Sequence, residues 1–350
     1  MAKKLTMGEQ ILKKSKKHKK QTSKHIVILL VILVCFMIFG TYIHKDKNIF
    51  GSLKENDKLV VTYLGNINLA EKSQKDSLSK ILSPLKNLAN NSDYTSANLK
   101  LSSNNPTKDI KNIKTLSNNN INSLTLGNSK NMGFKNTQSI FQSIDQSNPN
   151  LLSDEGINII NNNISKQFHQ GKEIATVSFS DTSSKFIDAS ENNTSIKLNP
   201  KTFIPLVKDL DKNNDLVIVR VNWGVPDERT VSERQEEYAH ALVDAGADVI
   251  IGNNNVVQKI ESYKDSHIFY SLGNLTSQDF LSKNNESIIV QQEIENEHLK
   301  TKVIPVNFKG GYLSNNKDNI IKNNQILNYI KDSSMDWTTK KGEFINETSK

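Results

Sequence analysis

From Lys58 onward, short apolar runs alternate with stretches in which apolar residues recur at helical spacing. Leu59–Leu64 reads as a strand, Asp76–Leu88 as a helix, Ile110–Leu116 as helical and Ile121–Leu126 as extended. Thr137–Ile144 is a further helix candidate, followed by strand Glu173–Phe179, helix Pro200–Leu210 and strand Leu216–Val221. Helix Ser232–Ala245 and strand Val249–Ile251 come next, and Ile268–Tyr270, Ser287–Gln292 and Lys300–Val306 close the series as strands. Such alternation predicts an α/β fold in which helices cover a sheet. The best-marked helix is Ser232–Ala245. Ser232 and Gln235 have capping-box spacing, Gly246 follows as a left-handed cap, and Tyr238, Ala241, Leu242 and Ala245 share one face. The Asn-, Ser- and Lys-rich stretches Asn90–Thr107 and Asp181–Thr194 read as surface loops.

Ahead of this region the pattern changes. Ile26–Ile43 is an uninterrupted run of eighteen uncharged, mostly apolar residues. As a helix it spans about 27 Å, close to the hydrocarbon thickness of a bilayer. No small-x-small cleavage site follows it, which favours one uncleaved N-terminal transmembrane helix over a signal peptide. The chain has 350 residues and a net charge of +8. Residues 1–25 carry nine lysines and one acid, Glu9, so the whole excess sits there and the remainder balances at 36 basic against 36 acidic residues. The charge is therefore a topology signal that holds the N-terminus in the cytoplasm, with possible contacts to anionic lipid, and gives no case for nucleic acid. The expected division is a basic cytoplasmic tail (1–25), an anchor in the cell membrane (26–43), a linker (44–57), an extracellular domain (58–308) and a C-terminal tail (309–350). The single cysteine, Cys35, lies in the anchor, so the exterior domain uses neither disulfides nor thiolates.

Ligands of open α/β sheets bind beyond the carboxyl ends of strands. Four predicted strand ends carry short polar motifs there: Gly65-Asn66, Gly127-Asn128-Ser129, Asn222-Trp223-Gly224 and Gly252-Asn253-Asn254-Asn255. Their glycines allow tight turns and close approach. Their side chains are amides, which neither titrate nor offset the charge of a dication. Asp227 and Glu228, in the loop after Gly224, are the nearby acids. His240 reads as a partly buried or surface residue of its helix, and His267 as a loop residue preceding a strand.

The stretch that ends at Asn274 carries a specific pattern: Asn222-Trp223-Gly224, Arg234-Gln235, Asp244–Asp248 (DAGAD), Gly252–Asn255 and Phe269–Asn274 (FYSLGN). It resembles the poly-γ-glutamate capsule biosynthesis family CapA/PgsA, whose members read V-x-x-H-W-G, R-Q, D-A-G-A-D-x-x-x-G-H-H-P-H and I-x-Y-S-L-G-N-F. Lys58–Ala70 is similar to the family's opening F-x-G-D element, and the likeness extends from the basic tail to about Phe308. It implies a calcineurin-like metallophosphoesterase-type fold, a two-sheet sandwich flanked by helices with metals at the strand ends. On that comparison the chain departs at nearly every ligand position. Asn66 stands for an aspartate, Lys100 for a glutamate, Asn222 for a histidine, and Asn253 and Asn254 for a histidine pair. Another histidine position falls at or beside Ser129, next to Asn128.

The resemblance therefore implies a degenerate site with no catalytic residue, no metal and no cofactor. The expected role is that of a non-catalytic subunit of a poly-γ-glutamate synthesis and export complex. Its partners would be the ligase, small multispanning membrane subunits, membrane lipid and the polymer. Lys100, Asn222, Trp223, Asn253 and Asn254 are the candidate polymer contacts. The alternatives are an exterior metal-dependent hydrolase or transferase acting on the polymer or a phosphoester, and a purely structural subunit. The chain contains no P-loop with which to form the peptide bonds itself.

Overall fold

The computed structural model describes residues 7–8, 58–68, 78–100, 106–126, 158–159, 164–181, 196–276, 282–295, 298–309, 311–315, 320–331, 334–340 and 342–349. Two compact units divide the chain, 1–48 and 49–350. Of the first, only residues 7 and 8, both helical, are described, so the expected anchor 26–43 and linker 44–57 lie outside the described residues, as does the helix expected at Thr137–Ile144. Among the described residues no helix is long and apolar enough to cross a membrane.

The second unit begins with β1 (Leu59–Asn68), α1 (Leu78–Leu82), α2 (Lys86–Asn90), β2 (Tyr94–Lys100), α3 (Pro106–Ser117), β3 (Ser123–Leu126), β4 (Asn158–Ile159), β5 (Ile164–His169), β6 (Lys172–Ser180) and β7 (Ile196–Lys197). It continues with α4 (Pro200–Asn213), β8 (Leu216–Asn222), α5 (Glu233–Asp244), β9 (Val249–Asn253), β10 (Ile260–Tyr263) and β11 (Ser266–Phe269). It closes with β12 (Glu286–Glu295), β13 (His298–Lys309), β14 (Tyr312–Asn315), α6 (Ile320–Ile330), β15 (Thr338–Lys340) and β16 (Glu343–Ser349). One sheet has the order β15-β16-β13-β12-β1-β2-β3-β4, with β14 on β13; the other runs β10-β11-β9-β8-β6-β5, with β7 on β6. Both are mixed. β1 to β4 are parallel neighbours, and so are β6, β8, β9 and β11. The α/β expectation, two sheets with helices outside, is met at this level.

Among the described residues, alternation along the strands makes three cores. Inward residues of both sheets meet in one, with Leu59, Val61, Tyr63, Val290 and Phe344 facing Ile174, Ile218, Ile251 and Phe269. Behind the first sheet, Leu64, Ile67, Ala97 and Leu99 pack on Ile81, Leu82, Ile113 and Leu116 of the helices. Behind the second, Val217, Val219 and Val221 pack on Phe203 and Val207 of α4 and on Ala239 and Leu242 of α5. Because β8 is covered on both faces, all seven of its residues are buried.

α5 follows its sequence signals closely. Ser232 caps it with the reciprocal Gln235 bond, and Gly246 sits at φ +108° just past Ala245. Its core face is Gln235, Ala239, Leu242 and Val243, with Tyr238 and Ala241 only partly buried, so the stripe is rotated from the one predicted. Two regions differ from expectation. The stretch Asn90–Thr107 contains β2, a central strand with neighbours on both sides. The stretch 309–350 adds β14, α6, β15 and β16 to the sandwich; β16 pairs with β13, and Ile326, Ile330 and Phe344 enter the inter-sheet core.

Candidate functional site

The inward positions at the carboxyl ends of β1, β2, β8 and β9 form one polar layer closing the inter-sheet core. Asn66 pairs in register with Asn98, and Asn222 lies between Ser180 and Asn253. The two sheets are joined by amide hydrogen bonds. Asn98 Nδ2 donates to Asn66 Oδ1 at 2.6 Å, while Asn66 Nδ2 donates to Asn254 O at 2.8 Å and Asn274 Oδ1 at 2.9 Å. Farther out, Lys100 Nζ donates to Asn255 Oδ1 at 2.8 Å, and Asn255 Nδ2 to Asp227 Oδ1 at 3.1 Å.

Gly65 and Gly252 admit protein rather than ligand. A Cβ on Gly65 would stand 2.4 Å from Gly273 O, where a bridge ties β1 to the segment after β11. One on Gly252 would fall 1.9 Å from Tyr270 O and 2.3 Å from Trp223 Nε1. Trp223 Nε1 donates to that same carbonyl at 2.9 Å, and its ring stacks on Tyr270. Trp223 is therefore part of the helix-side core, 4% exposed, and does not reach the cleft. This corrects its assignment as a polymer contact. Its neighbour Asn222 alternates to the opposite face of the sheet.

The remaining site residues divide by use. Asn254 is a structural hub: Nδ2 donates to Val225 O, Oδ1 accepts from Asn255 N, and its own N donates to Ser271 Oγ. Asn222 and Asn253 are buried, yet the Nδ2 of each has no partner among the described residues. Asn128 and Ser129 lie outside the described residues. Of the two nearby acids, Asp227 (φ +63°) accepts from both Asn255 and Asn284 Nδ2. Glu228 accepts from Thr230 N, a hydrogen bond that holds its carboxyl below the ordinary range.

Sequence reasoning missed the residue beneath this layer. Arg220 of β8 is fully buried between the sheets, with Nη1 donating to Ser96 Oγ at 2.6 Å and Nη2 to Leu64 O at 2.9 Å. Burial lowers its pKa to about 10, a value at which it is still a cation at neutral pH. No carboxylate pairs with it among the described residues. The available signal was an arginine within the apolar run Leu216–Val221. His267 also departs from expectation. It lies in β11 and is buried, and its Nδ1 is within hydrogen-bond reach of Gln292 Nε2 and Thr301 Oγ1. Burial pushes its pKa down to about 4. His240 is a helix-surface residue, bonded to Glu261 and stacked on Tyr263.

These residues do not fit a divalent cation. The Asn66 amide is spent on protein partners, Lys100 stands at the rim and an unpaired guanidinium lies below. Neutral amides supply no charge to offset those cations and a metal together. Among the described residues no three His, Cys, Asp or Glu side chains converge.

Fold and site together define a two-sheet α/β domain whose strand ends carry a polar layer built largely from asparagine. The chain belongs to the family of bacterial capsule synthesis protein PGA_cap, whose model matches residues 60–279. It is similar to PGA biosynthesis protein CapA of Bacillus subtilis (strain 168), 28% identical over 378 residues that cover 98% of this chain and 96% of that one. It is also similar to capsule biosynthesis protein CapA of Bacillus anthracis, 29% identical over 343 residues covering 89% and 82% of the two chains. Among solved structures it is similar to the calcineurin-like phosphoesterase YfkN from Bacillus subtilis, at 12% identity and a TM-score of 0.39, covering 74% of this chain and 88% of that chain.

Proposed function

We propose that this chain is a membrane-anchored, non-catalytic subunit of a capsule synthesis and export complex, and that it handles an emerging poly-γ-glutamate chain outside the membrane. Family membership and the full-length likeness to two CapA proteins support the pathway. The observation that carries the non-catalytic part is the asparagine layer. At the described strand-end positions the cleft presents amides and Lys100, while Asp227 is engaged by two amide donors. No group there is poised to take a proton or to share the charge of a metal. A cleft of amide donors with cations at its rim and floor suits carboxylates. The run Ile26–Ile43 supplies the anchor, and the lysine-rich 1–25 faces the cytosol, where a ligase forms the γ-peptide bonds.

Affinity purification of the chain from membranes tests the complex. Co-purification of an ATP-dependent ligase and a small multispanning protein is expected, and their absence refutes the assignment. Stoichiometric Mn, Fe or Zn in the purified protein, with phosphodiester or polyglutamate cleavage lost in Asn222→Ala, would make it an enzyme instead. Deleting 58–350 while keeping the anchor should abolish export; normal export would make the exterior domain dispensable.

A further inference from the structure

The amides of Asn222 and Asn253 leave two buried donors unused among the described residues. Asn222 and Asn253 end adjacent parallel strands, are partners in register, and lie 3% and 7% exposed. The Nδ2 of each is buried without an acceptor among the described residues. Paired strands are about 5 Å apart, so two register partners on one face are close enough to serve the same carboxylate. Arg220 lies two residues before Asn222 on the same face of β8, about 7 Å below it along the strand. Its partners Ser96 and Leu64 are neutral, so an uncompensated positive charge underlies two free donors. A cation placed at the amides would be repelled by it, and an anion would complete both the charge and the hydrogen bonds.

We propose that Asn222 and Asn253 form a carboxylate-binding site with the Arg220 guanidinium as its buried counter-charge. On the polymer reading above, on which this part rests, the occupant is the α-carboxylate of a γ-linked glutamyl residue, the group that γ-linkage leaves ionised. Lys100, bonded to Asn255 at the rim, adds positive charge near the entrance to the same cleft. The site would hold the carboxylate through these two buried Nδ2 groups. The protein bears the cost of two unsatisfied donors when empty.

The test is calorimetric titration of the full chain in lipid nanodiscs with three probes: γ-linked triglutamate, its counterpart with every carboxyl amidated, and glutarate. Saturable binding of triglutamate and glutarate is expected, with none for the amidated trimer. Asn222→Leu and Asn253→Leu should each weaken binding at least tenfold without lowering the melting temperature, because leucine fills the volume and removes an orphaned donor. Arg220→Met should also lose binding; if it fails to fold, the two leucine variants decide. Leucine variants that bind as tightly as the parent, no binding of either acid, or stoichiometric Mn²⁺ binding that Asn222→Leu abolishes would each overturn the site. If glutarate binds as expected but the γ-linked trimer does not, the carboxylate site stands and the polymer reading fails. If the ligase co-purifies while the leucine variants bind normally, only the site fails.

Discussion

His267 gives the sharpest quantitative test of the inter-sheet core. It is 3% exposed, and burial holds its pKa near 4 against 6.5 in an open chain. Between those values the unfolded chain binds a proton that the folded domain refuses. Stability is therefore fully present above pH 6.5 and declines as the pH falls towards about 4. Each pH unit in that window is worth about 1.4 kcal/mol, so the loss reaches about 3 kcal/mol. The perturbation is His267→Gln, which keeps a polar partner for Gln292 and Thr301 but does not titrate. Urea unfolding of the 49–350 unit, followed through the fluorescence of buried Trp223, should be run for both proteins from pH 7 to pH 4. The surface carboxylates are common to both and cancel in the difference. The parent should lose about 3 kcal/mol more than the variant over this range. Parallel pH profiles would refute a neutral, desolvated histidine. A parent whose stability at pH 6 rises on adding Zn²⁺, with no such rise in the variant, would make His267 a metal ligand and refute the reasoning outright.

Three further outcomes follow from particular contacts. Gly252→Ala drives a Cβ to 1.9 Å from Tyr270 O and should cost at least about 3 kcal/mol or abolish soluble expression; an unchanged melting temperature would mean β9 and the segment after β11 separate freely. Asn66→Ala removes a buried amide that makes three hydrogen bonds and leaves their partners behind, a loss of about 2–4 kcal/mol by urea denaturation. A loss under about 1 kcal/mol would show that the amide network does not join the sheets. Ser232→Ala removes the capping box of α5 and should cost about 1 kcal/mol, measured in the same way; no change would mean that tertiary packing alone sets the helix start.

The elements that were readable in sequence are those whose burial follows a simple period. β8 and β9 are apolar on both faces because helices cover one side and a second sheet the other, so Leu216–Val221 and Val249–Ile251 stand out as runs. α5 carries a cap at each end. β2 was illegible for the opposite reason. Its inward positions are Tyr94, Ser96, Asn98 and Lys100, so polar residues occupy the places where an apolar alternation would show. The polarity that makes β2 part of the site disguises it as a loop. The C-terminal strands escaped notice because β15 is wholly exposed and β16 alternates weakly, and only pairing with β13 makes them strands.

The site shows the same division. Local sequence was sufficient to mark four strand ends rich in asparagine, because turn and strand-end chemistry is local. Which amides are spent and which are free is a matter of distances between residues far apart in the chain, such as the 208 positions separating Asn66 from Asn274. Trp223 beside Asn222 invites a shared role, but strand alternation sends the indole into the helix-side core and the amide towards the cleft. Arg220 reads as one charge in a hydrophobic run, and only the packing of two sheets turns it into a buried cation beneath the site. The sequence by itself determined the α/β class, the capped helix, the family and the amide-rich strand ends, since these depend on residue type and local spacing. The tertiary structure alone decided the buried charge and the unused donors of the strand-end layer, since both depend on which side chains from distant strands meet there.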